Sequence, residues 1–183
     1  NAQISINSTS FTYSQNLDAL LNTGTANTWT NHSTITGWYS SLPTYAASTG
    51  LSTTGIVYSY GAAGSTERSL GSQASNGTGT IYYGVQFVNN IGSPLTELRL
   101  TYTGEQWRNG GNATPQKLDF QYSTDATTLT NGNWTDVDAL DFIGPVATTT
   151  AAALDGNSVT NSDAMQATIS LNVVNGGVIW FRW

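Results

Sequence analysis

Apolar residues recur at every second position along several stretches of this chain, and this pattern constrains its fold most strongly. Leu98, Leu100 and Tyr102 alternate with polar residues, and residues 118–122 and 169–173 repeat the pattern. Successive side chains of a β-strand point to opposite faces, so this spacing predicts strands that bury one face. Residues 81–88 also alternate, but their second face is partly apolar, which predicts a central strand.

Composition favours the same class of fold. Only 9% of the residues are charged, so Lys and Glu, which favour helices, are scarce. The one candidate helical turn is residues 15–21, where three leucines share a face, and an irregular bend is the alternative. Clusters of Asn, Gly, Ser and Pro separate the alternating stretches. We therefore predict one all-β domain over residues 1–183, an antiparallel β-sandwich of jelly-roll type.

Charge and cysteine content exclude several classes of function. The 183 residues contain no cysteine, so a disulfide framework or a thiolate metal site is impossible. The net charge of -6 and the scattered basic residues argue against nucleic acid as a partner. No apolar run is long enough to predict a membrane span. We expect a mature extracellular chain, secreted or held at the cell surface, whose export signal has been removed.

The motif YTGEQWRNGGN at residues 102–112 is the most distinctive segment. With several other segments, it resembles a domain of large secreted bacterial surface proteins. The resemblance implies a jelly-roll sandwich of the concanavalin or MAM type, and the family has no established chemistry. Its pattern continues past the Arg-Trp pair with one more strand, which this sequence lacks. The other segments are residues 28–30 with 37–39, 55–61 with 68–72, 134–137, 153–157 and 180–183.

Residues suited to catalysis are few. His32 is the only histidine, so a Ser-His-Asp triad or a histidine metal site would have to use it. Glu67, Glu97 and Glu105 could supply a glycosidase pair, but their spacing does not indicate two carboxylates facing one cleft. Glu97 alternates outward on a predicted strand, as a solvated residue would. We predict that the protein is not an enzyme.

The segment from Glu105 to Arg108 is the predicted ligand-binding loop. Trp107 could stack on a sugar ring while Glu105, Gln106 and Arg108 bind its hydroxyls. The alternative is structural and carries more weight: Trp107 closes the end of the sandwich, Arg108 pairs with a carboxylate, and nearby glycines adopt positive φ. A glycan at this loop is therefore a hypothesis.

Four aspartates offer oxygen ligands for a calcium ion. Three are in the run Asp-Val-Asp-Ala-Leu-Asp, and the fourth is in Asp-Gly-Asn. The spacing does not match the calcium loop of helical hands, and solvated loop carboxylates are the alternative. These predicted metal ligands are Asp136, Asp138, Asp141 and Asp155.

The apolar run at residues 178–183 offers apolar side chains to both of its faces. A missing last strand would leave an open sheet edge beside it, and residues 4–13 of a neighbouring chain could fill that slot. Truncation of the chain is the simpler explanation for the missing strand. We therefore expect a non-catalytic bacterial surface module for adhesion or glycan binding. The alternative is a structural subunit that assembles with copies of itself into a fibre through sheet edges.

Overall fold

The computed structural model describes residues 3–183, which form β-strands joined by turns and loops. These residues contain no α-helix, and a single 3-10 turn covers Asp138–Leu140. None of them forms a helix long and apolar enough to cross a membrane. The strands are β1 (Ile4–Ile6), β2 (Asn27–Thr28), β3 (Trp38–Ser40), β4 (Thr44–Ser48), β5 (Ile56–Tyr60), β6 (Ser69–Gln73), β7 (Tyr83–Asn89), β8 (Leu95–Glu105), β9 (Arg108–Asn109), β10 (Lys117–Leu118), β11 (Gln121–Ser123), β12 (Thr135–Asp136), β13 (Phe142–Ile143), β14 (Ala152–Ala153), β15 (Ser162–Val173) and β16 (Val178–Arg182).

Three sheets carry most of the fold. The largest has the order β1-β7-β16-β11-β12, with β3 also paired to β7. The second has the order β2-β4-β5-β6, and the third is the long pair β8–β15. Most pairs are antiparallel as predicted, but β1–β7 and β4–β5 are parallel. The sheets are therefore mixed, and a jelly-roll connection between them stays a prediction.

One core joins the three sheets. Phe87 and Phe181 enter it from the six-stranded sheet, Val57 from the four-stranded sheet, and Ile169 from the β8–β15 pair. Alternate residues of the sheets face this core, and smaller buried clusters around Trp107 and Trp180 cover part of the opposite faces of the four-stranded and six-stranded sheets. The prediction of an all-β sandwich is confirmed.

The stretches with the clearest alternation of apolar and polar residues form strands in the structure. Residues 98–102 lie in β8 and residues 169–173 in β15, which pair with each other. Strand β7 is buried along its whole length, as predicted for a central strand. Residues 118–122 do not form one continuous strand, because residues 119 and 120, between β10 and β11, belong to neither strand. Residues 15–21 form turns, with Leu17 at a φ of 66°.

The last strand does not border an empty slot, which corrects the prediction made from residues 178–183. β16 lies inside the six-stranded sheet, paired with β7 on one side and β11 on the other. The proposed donor segment is also occupied, because β1 pairs with β7 of its own chain. The predicted strand exchange therefore has neither an acceptor edge at β16 nor a free donor in β1.

Candidate functional site

Trp107, the centre of the predicted binding loop, is buried. Its side chain is 4% exposed and stacks on Tyr60 with ring centroids 6.2 Å apart. The indole Nε1 donates a hydrogen bond to Glu105 Oε2 at 2.8 Å. A Cβ on Gly156 would collide with the indole ring, so glycine is required there. Trp107 thus has no exposed face for a sugar ring, and the structural alternative describes its position.

The neighbours of Trp107 are also engaged inside the protein. Gln106 is buried, and its amide both donates to and accepts from the backbone of Val146, each at 2.8 Å. Arg108 Nη1 donates to the Gly50 carbonyl at 3.0 Å, so this arginine binds a carbonyl where a carboxylate was expected. Burial raises the pKa of Glu105, with smaller contributions from the charges of Glu67 and Asp155. These contacts hold the loop in place.

The four predicted calcium ligands are not gathered. Asp141 is buried, and its carboxylate accepts hydrogen bonds from Lys117 Nζ and the Phe120 amide. Asp136 accepts a hydrogen bond from Gln121, and Asp155 from the Asn157 amide. Asp138 begins the 3-10 turn. Residues 3–183 contain no group of three or more His, Asp or Glu side chains that could hold a metal ion, so the predicted ligand set is not assembled.

Among the residues considered for catalysis, Glu105 has a pKa raised most by burial and further by the charge of Glu67, which lies near it. Glu97 is exposed on β8 opposite Ser170, and Glu67 accepts a hydrogen bond from Asn157. His32 has a φ of 67° and lies beside Tyr39, with ring centroids 6.0 Å apart. The ring of His32 thus packs beside a tyrosine ring.

A cavity of about 300 Å³ lies on the outer face of the six-stranded sheet. The segment of residues 124–134, which follows β11, folds back over that face and packs Ala126 and Leu129 against Trp180 of β16. The cavity lies between this segment and the end of β3. Its lining residues are Asn31, Tyr39, Ser40, Ser41, Thr127, Thr128, Leu129, Thr130 and Trp180.

The exposed aromatic surface of this cavity comes from Tyr39, whose ring is partly exposed and is backed by the buried ring of Trp180. Trp180 is 1% exposed and packs against Tyr39, with ring centroids 4.6 Å apart and planes inclined at 57°. Burial raises the pKa of Tyr39, so its phenol stays neutral over the physiological pH range. The Trp180 indole Nε1 is buried and has no hydrogen-bond partner within residues 3–183. A buried indole N–H without an acceptor is unusual, because such groups are normally paired.

The rest of the lining carries hydroxyls and an amide. Asn31 Oδ1 accepts hydrogen bonds from Trp29 Nε1 and the Ser40 amide, which fixes the side chain at the cavity. The Thr127 and Thr128 amides both donate to Asn131 Oδ1, and this holds the opposite wall. None of the nine lining residues is charged. The cavity therefore combines aromatic surface with neutral hydrogen-bonding groups.

Comparison with known proteins adds no relative to this geometry. No family model, curated protein or solved structure matches the chain. What the cavity binds must therefore be argued from its own chemistry.

Sequence analysis did not single out this cavity, although two of its signals were present. The run at residues 178–183 had apolar residues on both faces, which indicates a second covering layer as well as an open edge. That layer is the segment of residues 124–134, whose Thr-Thr-Leu-Thr sequence puts Leu129 inward and the threonines at the surface. Which loop would cover Trp180 could not be read from the strand pattern.

Proposed function

We propose that this protein is a non-catalytic carbohydrate-binding module and that the cavity beside Tyr39 and Trp180 holds a neutral sugar residue. A sugar presents C–H groups that pack on aromatic rings, and hydroxyls that both donate and accept hydrogen bonds. The lining offers partners of both kinds and no charge. An uncharged polyol therefore suits this cavity better than an ion does.

The observation that carries the proposal is the lining of the cavity, which sets the partly exposed ring of Tyr39 beside Asn31 and five hydroxyl side chains and includes no charged residue. A sugar hydroxyl can donate to or accept from these groups, and the cavity is already formed, so binding requires little ordering of the protein. The cavity volume of about 300 Å³ is at the lower limit of typical ligand pockets, which suits one sugar unit of a longer chain. An extracellular bacterial surface remains the expected setting for such a module.

The proposal is tested with a matched pair of threonine variants. Thr128→Val removes a hydroxyl from the exposed side of the cavity, whereas Thr168→Val makes the same change at an exposed position of β15. Affinity electrophoresis through neutral polysaccharides, followed by calorimetry with the corresponding oligosaccharide, measures binding. Loss of one hydrogen bond of roughly 1 kcal/mol predicts a Kd about fivefold higher for Thr128→Val and an unchanged Kd for Thr168→Val.

A second variant tests the aromatic wall. Tyr39→Ala should weaken retention more than Thr128→Val does, because it removes the exposed part of the ring surface. A thermal melt of each variant separates lost binding from lost folding. Equal binding by all variants would refute the assignment of the cavity, and a folded protein that no neutral polysaccharide retards would refute the function.

A further inference from the structure

A second cavity, of about 360 Å³, lies at one end of the four-stranded sheet. Because β4 and β5 are parallel, their last residues lie side by side at this end, where Ser48 is opposite Tyr60. Arg68, just before β6, is one of the residues that line this cavity. The wall also carries the hydroxyls of Thr23, Thr49 and Ser52, and it contains no acidic residue.

The Arg68 guanidinium is buried and forms no ion pair within residues 3–183, and the carboxylate of Asp18 accepts a hydrogen bond from the Arg68 backbone amide at 3.1 Å. Arg68 is 2% exposed, and the ion pairs within residues 3–183 are the two that Lys117 makes with Asp119 and Asp141. Burial lowers the pKa of Arg68, partly offset by the charge of Glu67. Removing a cation from water without pairing it is costly, so buried charges are normally paired.

The hydrogen bonds of the guanidinium are only partly satisfied. Nε donates to Ser59 Oγ at 2.8 Å, and Nη2 donates to the Ser59 carbonyl. Two further contacts, to the carbonyls of Ser48 and Ala62, are 3.5 Å long. N–H···O bonds are commonly ~2.9–3.0 Å, so these two are weak. The group therefore keeps donor capacity that an ionised acceptor could use.

We propose that the Arg68 cavity binds an acidic group, a carboxylate or a sulfate. The planar guanidinium favours such oxyanions because it can donate two parallel hydrogen bonds to them. Arg68 is the one charged residue among those that line the cavity, so the wall itself carries a positive charge on a chain of net charge -6. The rim hydroxyls offer further donors to the same anion.

The acidic group has two possible sources, a free small anion or an acidic sugar of a polysaccharide. The cavity lies on the four-stranded sheet, whereas the proposed neutral-sugar cavity lies on the six-stranded sheet. The two proposals therefore fail or succeed separately.

The test uses thermal unfolding at constant ionic strength with D-glucuronate, and with D-glucose as its neutral counterpart. Binding to the folded state alone raises the melting temperature with ligand concentration. We expect glucuronate at concentrations far above its Kd to raise the melting temperature by several degrees and glucose to leave it unchanged. A polygalacturonate arm distinguishes the sources: tighter binding of the polymer per sugar unit indicates a polysaccharide, and equal binding indicates a free anion.

A charge variant assigns the effect to this cavity. Ala63 is an exposed residue of the wall, so Ala63→Asp supplies a carboxylate to Arg68 from the protein itself and should abolish the response to glucuronate. Ala113→Asp adds the same charge at an exposed position outside the cavity wall and should respond like the unaltered protein. A response to glucuronate that persists in Ala63→Asp would overturn the proposal.

A measurement on the unaltered protein covers the case in which Ala63→Asp does not fold. The Nε–H resonance of Arg68 should move on titration with glucuronate, in proportion to binding, and stay in place with glucose. Arg99, which is exposed on β8, serves as the internal reference. If the Arg68 resonance does not move, or moves no more than that of Arg99, the cavity does not bind the acidic group.

Discussion

At the scale of single residues, Trp107 and Glu105 show how burial assigns a role that residue type leaves open. A tryptophan in a Gly- and Asn-rich segment suits a sugar platform and a core plug equally well. Here the ring stacks on Tyr60, and its N–H is satisfied by the partly buried Glu105 carboxylate. The indole N–H has a hydrogen-bond partner inside the protein, and the ring is covered. Both observations indicate a structural role for Trp107.

Trp107→Ala is therefore expected to destabilise the fold. Truncation of a buried tryptophan commonly costs about 3–5 kcal/mol, and here it also leaves Glu105 without its donor. Urea unfolding followed by circular dichroism measures the change in the free energy of unfolding. Trp107→Phe, which keeps a ring beside Tyr60, should lose less. An unchanged unfolding midpoint for Trp107→Ala would contradict the burial seen here.

At the scale of elements, one carboxylate joins the two ends of the segment of residues 124–134. Asp125 accepts hydrogen bonds from the Asn133 amide, the Asn133 side chain and Ser123 Oγ. These bonds, led by the one from the Asn133 amide, lower the pKa of Asp125 below its ordinary 3.8. The same segment covers Trp180 and supplies the outer wall of the proposed sugar site.

The sign of the pH effect follows from the lowered pKa. Asp125 stabilises the closed segment at any pH above 3.8, and that contribution is lost as the pH falls through the lowered value. Hydrogen exchange should therefore show the Asn133 amide losing protection in acid. In Asp125→Asn the protection should be lower and independent of this titration, whereas Asp163→Asn on β15 should behave like the unaltered protein. Acid-dependent protection that survives in Asp125→Asn would assign the effect to another group.

At the scale of the whole molecule, buried tyrosines link the stability of all three sheets to alkaline pH. Tyr60 lies in the four-stranded sheet, Tyr83 in the six-stranded sheet, and Tyr102 in the β8–β15 pair. Burial raises the pKa of each phenol, that of Tyr102 to about 12. In an unfolded chain these phenols ionise near their ordinary value of 10.0. Folding therefore requires all three to keep their protons.

We expect the fold to lose stability as the pH rises from 10 towards 12. The unfolded state releases phenolic protons in this range before the folded state does, so each rise in pH favours unfolding. Absorbance at tyrosinate wavelengths and far-ultraviolet circular dichroism should change together for these residues. Tyr60→Phe removes one such phenol and should move the alkaline unfolding midpoint upwards. Tyrosinate absorbance that reaches its full value while the circular dichroism stays native would contradict this link.

The sequence by itself determined the class of fold and the faces of its best strands. Leu98, Leu100 and Ile169 were assigned to one buried side because a strand repeats every two residues whatever it pairs with. The turns followed from Gly and Asn, whose backbone preferences are also local. These features depend on neighbours along the chain, so they can be read without knowledge of the fold.

Tertiary structure decided the partners of each strand and therefore the sites. Period two shows which residues share a face but not which strand lies alongside, so β16 could be an edge strand or a central one. Its place was set by distant contacts, such as the bond between Arg182 and Gln121, 61 residues away. Contacts between distant parts of the chain also bury Trp107 and cover Trp180. They likewise leave the Arg68 guanidinium without an ion pair. Their cause is the closing of three sheets around one core, which no local pattern encodes.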